Sequence, residues 1–363
     1  MTSKEATYLD TETTLPIGQQ HARTRWRTHA SGEAFDRKKK PYLTEQAQEF
    51  IAQQAFCVIA GLDIENQLGG LLAMETPGFV QTPDTEVCLL RLSKSHEISR
   101  IVQRLQQVEE ITQLGLFFIC HPTRERLCVQ GTAELLFADP PGFSYFTDPP
   151  ASLWVLLHVR QAFFHCVKYI KTRVAGLTVS EETALPQLWQ SERLLNSNFT
   201  CLSSEICAFI AQQVLCYLCT VDQAGQCAVN HRGGAPGFLV TLPPDDASPG
   251  GTILLPDYAG NGAFEAIGNI LETERATLII PNFSAQLALS ITGRAHVLEL
   301  DDLPALQAKN CLGAERVVAL SVQRIELQTG DWSTSLAYER ARAASGSEMS
   351  MPVDACRVSP IIS

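Results

Sequence analysis

The sequence predicts a mainly β protein with flanking helices, built as two small antiparallel barrels in tandem. Three observations lead there: the length, a repeat that holds its register, and more strand-like runs than the helices can cover. A chain of 363 residues has room for about two domains, each with its own core. "FIAQQ" stands at Phe50 to Gln54 and again at Phe209 to Gln213, an offset of 159. The same offset relates Cys57 to Cys216, Asp63 to Asp222, and Pro77-Gly78-Phe79 to Pro236-Gly237-Phe238. Further on, loop insertions shift it by a few residues, and "CLLRL" (Cys88 to Leu92) lies against "TILLP" (Thr252 to Pro256).

Each copy reads as a short helix, a hairpin, another strand, a second helix and three more strands. In the second copy Ser203 or Ser204 caps the first helix, with Glu205 in its opening turn. "VLCYLCTVD" and "CAVNH" flank the glycine-containing connection "QAGQ". "GTILLPD" is the next strand, and "NGAFEAIGNILE" has helical spacing of Phe264, Ile267 and Leu271. "RATLIIPNF", "LALSITGRAHVLEL" and "RVVALSVQRIEL" are rich in β-branched residues and close the copy. About six strands per copy favour a closed antiparallel barrel, which also removes exposed sheet edges, over a doubly wound parallel sheet. The chain divides into an N-terminal arm (1–42), a first barrel (43–173), a linker (174–198), a second barrel (199–340) and a flexible tail (341–363). In the arm, Arg37-Lys38-Lys39-Lys40 is either a phosphate contact or a solvated lead-in.

Composition narrows the function. Apolar residues make up 45% and charged residues 18%, as in soluble globular proteins. A net charge of -11 argues against a general nucleic-acid binder, which needs a dense basic face. No apolar run reaches the roughly 20 residues of a membrane span, and the N-terminus lacks a signal peptide's apolar core. The expectation is a cytoplasmic protein whose twelve cysteines stay reduced and mostly fill cores. Cys216 and Cys219 lie three apart on a strand and so point to opposite faces, which predicts no metal site there.

The two copies differ in what chemistry they carry. "NHRGG" joins His231 and the planar fork of Arg232, which matches a phosphate, to Gly233 and Gly234, whose backbone a ligand can approach closely. The plainer alternative is a turn with Arg232 paired to an acid. "PDYAGNGAFEAIGN" leads from a strand into a helix. Its free N–H groups suit an anion, with Asp257 or Asn261 as cap or ligand contact and Tyr258 beside them. Gly268-Asn269 inside that helix suggests a close contact, because glycine there costs about 1 kcal/mol. The first copy instead has "QAFFHCVKYIKTR", with His165, Cys166, Lys168 and Tyr169 just after a strand. The His-Cys neighbours could make a nucleophile or a binding surface. If the copies pack about a pseudo-twofold axis, one junction unites both motif sets and the other has neither.

These motifs, in this order, resemble the pyridoxamine 5'-phosphate oxidase-like family of flavin-binding split barrels, in particular its tandem members. The carriers are "FHCVKYIKTR" (Phe164 to Arg173), "NHRGGAPGF" (Asn230 to Phe238), "DYAGN" (Asp257 to Asn261) and "GNILE" (Gly268 to Glu272). Val167 stands where the family has proline, and "TERA" (Thr273 to Ala276) where it has "NPRA". The resemblance implies two split barrels and one FMN per chain between them. It implies an oxidoreductase of unassigned substrate whose cofactor carries the electrons, with no residue required as a general base. Arg232 with His231 or Lys168 would neutralise the phosphate, and Asn261, Asn269 and the glycine N–H groups would hydrogen-bond the cofactor. Electrons would come from a nicotinamide nucleotide or a separate reductase. The alternative is a non-catalytic flavin or haem binder, with His165 or His231 as axial ligand. Duplication can satisfy the dimer interface within one chain, so a monomer with an internal pseudo-dimer is expected, or else a homodimer.

Overall fold

The protein is described by a computed structural model that covers residues 15–93, 96, 99–107, 112–136, 152–165, 170–180, 199–260 and 262–345. Two helices, α1 (Ile17–Arg25) and α2 (His29–Asp36), form where the sequence reads as a polar arm. The first barrel contains α3 (Glu45–Ala52), β1 (Phe56–Leu62), β2 (Leu68–Met74), β3 (Val80–Gln81), β4 (Val87–Ser93), α4 (Arg100–Gln107), β5 (Thr112–Cys120), β6 (Glu125–Leu136) and β7 (Ser152–Phe164). The second contains α5 (Ser204–Gln212), β8 (Leu215–Val221), β9 (Cys227–Gly233), β10 (Val240–Leu242), β11 (Thr252–Asp257), α6 (Glu265–Thr273), β12 (Arg275–Asn282), β13 (Leu287–Glu299), α7 (Ala305–Asn310) and β14 (Arg316–Thr329). A last helix, α8 (Ser333–Ala344), follows.

The seven-stranded sheets run β2-β1-β5-β6-β7-β4-β3 and β10-β11-β14-β13-β12-β8-β9. Substituting β8 for β1, β9 for β2 and so on turns the first order, reversed, into the second. Every named pairing is antiparallel. The copies share even an irregularity: the β6–β7 ladder shifts register between Gln130 and Gly131, and the β13–β14 ladder between Thr292 and Gly293. At both bulges a Cβ would run into a carbonyl oxygen, that of His158 or of Ser321. Gly293→Ala is therefore expected to destabilise the fold by about 3 kcal/mol, read as a lower urea midpoint.

Alternation along β1 explains how the barrels join. Cys57 and Ile59 point into the first barrel's core, while Phe56, Val58 and Ala60 point outward into a third core between the barrels. That shared core takes Tyr217, Cys219, Val229 and Ile279 from the second barrel. β1, β2 and β8 are thus covered on both faces, and their burial is almost unbroken. Cys216 lies in the second barrel's own core and Cys219 in the shared one, as the spacing predicts. Thr277 Oγ1 donates to Leu68 O (2.9 Å) and Gln328 Nε2 to Gly70 O (2.6 Å), fixing the register between barrels.

Ser203 caps α5 by accepting from Ile206 N at 3.3 Å, as expected. In the basic run of the arm Arg37, Lys38 and Lys40 are exposed, as in a solvated lead-in, and Lys39 is half-buried. Lys39 meets Asp36 at 3.2 Å and lies over the Phe35 and Phe163 rings, and Lys40 bridges to Ala162. Among the described residues no helix is long and apolar enough to cross a membrane.

Candidate functional site

β9 runs through Asn230, His231 and Arg232 to Gly233, two residues beyond the strand the sequence suggests. It thereby lays Arg232 beside the end of β11. The Arg232 guanidinium donates from Nη1 to Asp257 Oδ1 at 2.5 Å, and Arg316 Nε lies 3.5 Å from Asp257 Oδ2. Arg316 is held between the rings of Trp26 and Phe264, 4.5 and 4.6 Å from their centroids. The plainer expectation for Arg232, pairing with an acid, is therefore met, but it uses only part of the fork. Arg232 Nε and Asn230 Nδ2 are buried without a hydrogen-bond partner among the described residues.

α6 begins on the same cavity. Its cap position is Phe264, in the left-handed region (φ 55°, ψ 32°), and no side chain among the described residues caps it. Asp257 does not serve as the cap. The N–H groups of the first turn are thus left to whatever enters the cavity, and Phe264, Glu265, Ala266 and Ile267 line it. At Gly260 a Cβ would meet nothing nearer than Tyr258 O at 3.9 Å, so the backbone faces open space.

The first barrel supplies the opposite wall with Phe117, Arg126 and His165. Of the residues singled out from sequence, His165, His231, Arg232, Gly233, Asp257 and Tyr258 share this one cavity. Cys166, Lys168, Tyr169 and Asn261 lie outside the described residues. Gly234 and Asn269 lie elsewhere. Gly234 N donates to Val214 O, and a Cβ there would strike Phe238, so this glycine serves the turn. Asn269 Nδ2 donates to Thr220 Oγ1 at 3.1 Å and lines a separate small chamber. The close contact foreseen at Gly268 is made with α1, where a Cβ would stand 2.6 Å from Gln19 N. Arg126, Arg316, Phe117 and Phe264 were not foreseen. Arg126 was within reach of strand-pairing logic, because His165 N donates to Arg126 O at 2.9 Å just past the β6–β7 ladder.

Electrostatics assign the charge in the cavity to the arginines. Burial pushes His231 well below the usual histidine range, and the fields of His121, Arg126 and Arg232 push the same way. His165 falls to about 3, chiefly through burial and then through Arg126, Lys39 and Arg232. Burial and the neighbouring guanidinium groups thus favour the neutral form of both imidazoles. His165 Nε2 stands 3.0 Å from Cys128 Sγ, whose thiol burial pushes well up.

His121, fully buried 5.9 Å ring to ring from His231, falls to about 4, mainly by burial. Its folded value lies below its unfolded value of about 6.5, so the unfolded chain binds more protons between those limits. Stability is expected to be whole above pH 6.5 and to decline toward pH 4, by up to about 1.4 kcal/mol per pH unit for this group. His121→Gln should flatten that decline in urea titrations.

At the other junction, Leu72, Ala73 and Met74 stand where His231, Arg232 and Gly233 stand in the second copy, and all are buried. Met74 packs in one core with Phe283, Trp332 and Leu336. Ser335 Oγ donates to Glu75 O at 2.5 Å, so α8 and the turn before it cover that face.

The family model for pyridoxamine 5'-phosphate oxidase matches residues 202–329, which span the second barrel from α5 to β14. The resemblance carried by the motifs of the second barrel thus holds there, and the first barrel repeats its topology. No curated protein sequence matches the chain. Among solved structures, HupZ from Group A Streptococcus is 16% identical (TM-score 0.26), covering 34% of this chain and 91% of its own. A protein from Clostridium acetobutylicum related to general stress protein 26, of the pyridoxinephosphate oxidase family, is 14% identical (TM-score 0.24; 33% and 85%). HutZ, the haem storage protein of Vibrio cholerae, is 14% identical (TM-score 0.24; 36% and 94%).

Proposed function

We propose that this chain is an FMN-binding oxidoreductase of the pyridoxamine 5'-phosphate oxidase-like class, with one flavin site per chain between its barrels. One observation carries the reading: the uncapped first turn of α6 opens on a cavity walled by Arg232 from one barrel and Arg126 from the other. The residues fit a phosphate. Arg232 and Arg316 face Asp257 and Glu315, two guanidinium groups against two carboxylates, while Arg232 Nε and Asn230 Nδ2 have no acceptor among the described residues. The aromatic walls Phe117 and Phe264 suit a planar ring system.

FMN would supply electron transfer, and the chain's own residues would bind and orient it. Arg232 and Arg126 would grip the phosphate, Gly233 and Gly260 would let it approach the backbone, and Asp257 would hold Arg232 in place. Lys168, Tyr169, Cys166 and Asn261 remain candidate contacts. Reducing equivalents would come from a nicotinamide nucleotide or a separate reductase, in a reducing cytoplasm where free thiols persist. The internal pseudo-dimer would let the protein act as a monomer.

A second reading has its own support. Burial favours neutral His231, and its ring nitrogens have no hydrogen-bond partner among the described residues, which leaves one free to ligate haem iron. Absorption of the purified protein separates the two: a flavin spectrum with one equivalent of FMN released on denaturation supports the first, a Soret band the second. Oxidation of NADH or NADPH, or reduction by a partner reductase, is expected only if the flavoprotein is an enzyme. A protein that takes up neither FMN nor haem would end both readings.

A further inference from the structure

Behind the first turn of α6, separated from the main cavity by Glu265, lies a small chamber lined almost wholly by polar atoms. It is lined by the arm (Gln19, Lys39), the first barrel (Gln130, Gln161) and the second (Asp222, Gln226, Glu265, Asn269). Amides point their donors along one line: Gln161 Nε2 to Gln130 Oε1 (3.0 Å), then Gln130 Nε2 to Glu265 Oε1 (3.0 Å). Two acceptors are left over. Gln19 Oε1 and Glu265 Oε2 are buried without a partner among the described residues, on residues only 3% and 6% exposed.

The internal repeat shows what stands in the corresponding place of the other half. Asp63 corresponds to Asp222 and Gln67 to Gln226. Arg100 and Glu265 open the equivalent helices α4 and α6, with Arg104 and Asn269 four residues on. The pairs Thr292–Arg324 and Gln130–Gln161 sit at the equivalent bulges. At the other junction three arginines, two from the first barrel and Arg324 from the second, surround Asp63: Arg100 Nε and Arg324 Nη2 each lie 3.0 Å from Oδ2, and Arg104 Nη1 donates to the backbone oxygen (2.8 Å), with Glu65 and Glu326 pairing to Arg100 and Arg324 as well. At the chamber those three become Glu265 and Asn269 of the second barrel and Gln161 of the first, while the aspartate stays. Burial pushes the carboxyls of Asp222 and Glu265 up. Lys39 is the one cationic side chain among the described lining residues, and its ammonium pairs with Asp36.

We propose that this chamber binds a monovalent cation of potassium or ammonium size, held by Glu265, Asp222 and the Gln19 amide oxygen where the other half places guanidinium groups. Oxygen ligands suit a hard cation. Among the described residues no group of three or more histidine, cysteine or carboxylate side chains could hold a metal ion, so the site does not suit a tightly coordinated transition metal. A bound cation would tie the arm and the turn after β8 to the first turn of α6.

The inference stands apart from the flavin reading, so its test needs no flavin. Thermal unfolding of the full chain in KCl and NH4Cl, against choline chloride at equal ionic strength, is expected to show a saturable rise of roughly 2–5 °C. Glu265→Gln should abolish the rise, and Glu65→Gln at the other junction should keep it. A Glu265→Gln protein that does not fold would shift the test to Gln19→Met, with the same expectation. Equal unfolding temperatures in all three salts, or an infrared band of a protonated Glu265 carboxyl persisting at pH 7 in saturating KCl, would overturn the proposal. In the latter case a proton supplies the missing charge.

Discussion

Arg232→Ala is expected to weaken FMN binding by about 2–4 kcal/mol, roughly 30- to 1000-fold in Kd. Two effects add. The phosphate loses a charge-assisted fork, and Asp257, only 5% exposed, keeps Arg316 as its partner at 3.5 Å, so its carboxylate turns from holding Arg232 to repelling the ligand. Arg232→Lys keeps the charge but loses the fork and should fall between the two. Met74→Leu, at the covered junction, should leave FMN affinity unchanged. Fluorescence quenching titrations check all three. Equal losses for Arg232→Ala and Met74→Leu would contradict a single site.

Gly268→Ala tests the arm, and its sign is the point. Helix propensity alone would make alanine more stable by about 1 kcal/mol in α6. Packing dictates the reverse, because the new Cβ would lie 2.6 to 2.8 Å from Gln19 backbone and side-chain atoms of α1. Backbone cannot yield as a side-chain tip can, so a net loss of about 2–3 kcal/mol is expected in urea unfolding. The shift of α1 should also change the fluorescence of Trp26, which packs on Phe264 with ring centroids 5.2 Å apart. A stabilised protein with unchanged fluorescence would show that α1 does not press on α6. Gly18 repeats the logic from the other helix, since its Cβ would strike Gly268 O.

The repeat made the fold legible, because a constant offset is insensitive to the ambiguity of single strands. The equivalent bulges at Gly131 and Gly293 show how deep that correspondence goes. The arm was less legible. Polar residues dominate residues 15–40, and their helices form through particular contacts: Gly18 against Gly268, and Arg23 Nη1 on Asp36 at 2.6 Å. The site was legible where a motif sits on one strand, as with His231 and Arg232. It was illegible where chemistry depends on what another barrel brings. Arg126 belongs to no motif and reaches the cavity only because β6 pairs with β7 and the barrels dock. The charge state of His231 was beyond the sequence as well, because burial sets it.

The central claim is that cations from opposite barrels meet around one phosphate, and the ratio of FMN to riboflavin affinity tests it most directly. Riboflavin lacks only the phosphate. The account predicts a large ratio in the unaltered protein that shrinks toward one in both Arg126→Ala and Arg232→Ala. A ratio unchanged by Arg126→Ala, with the fold intact, would contradict it.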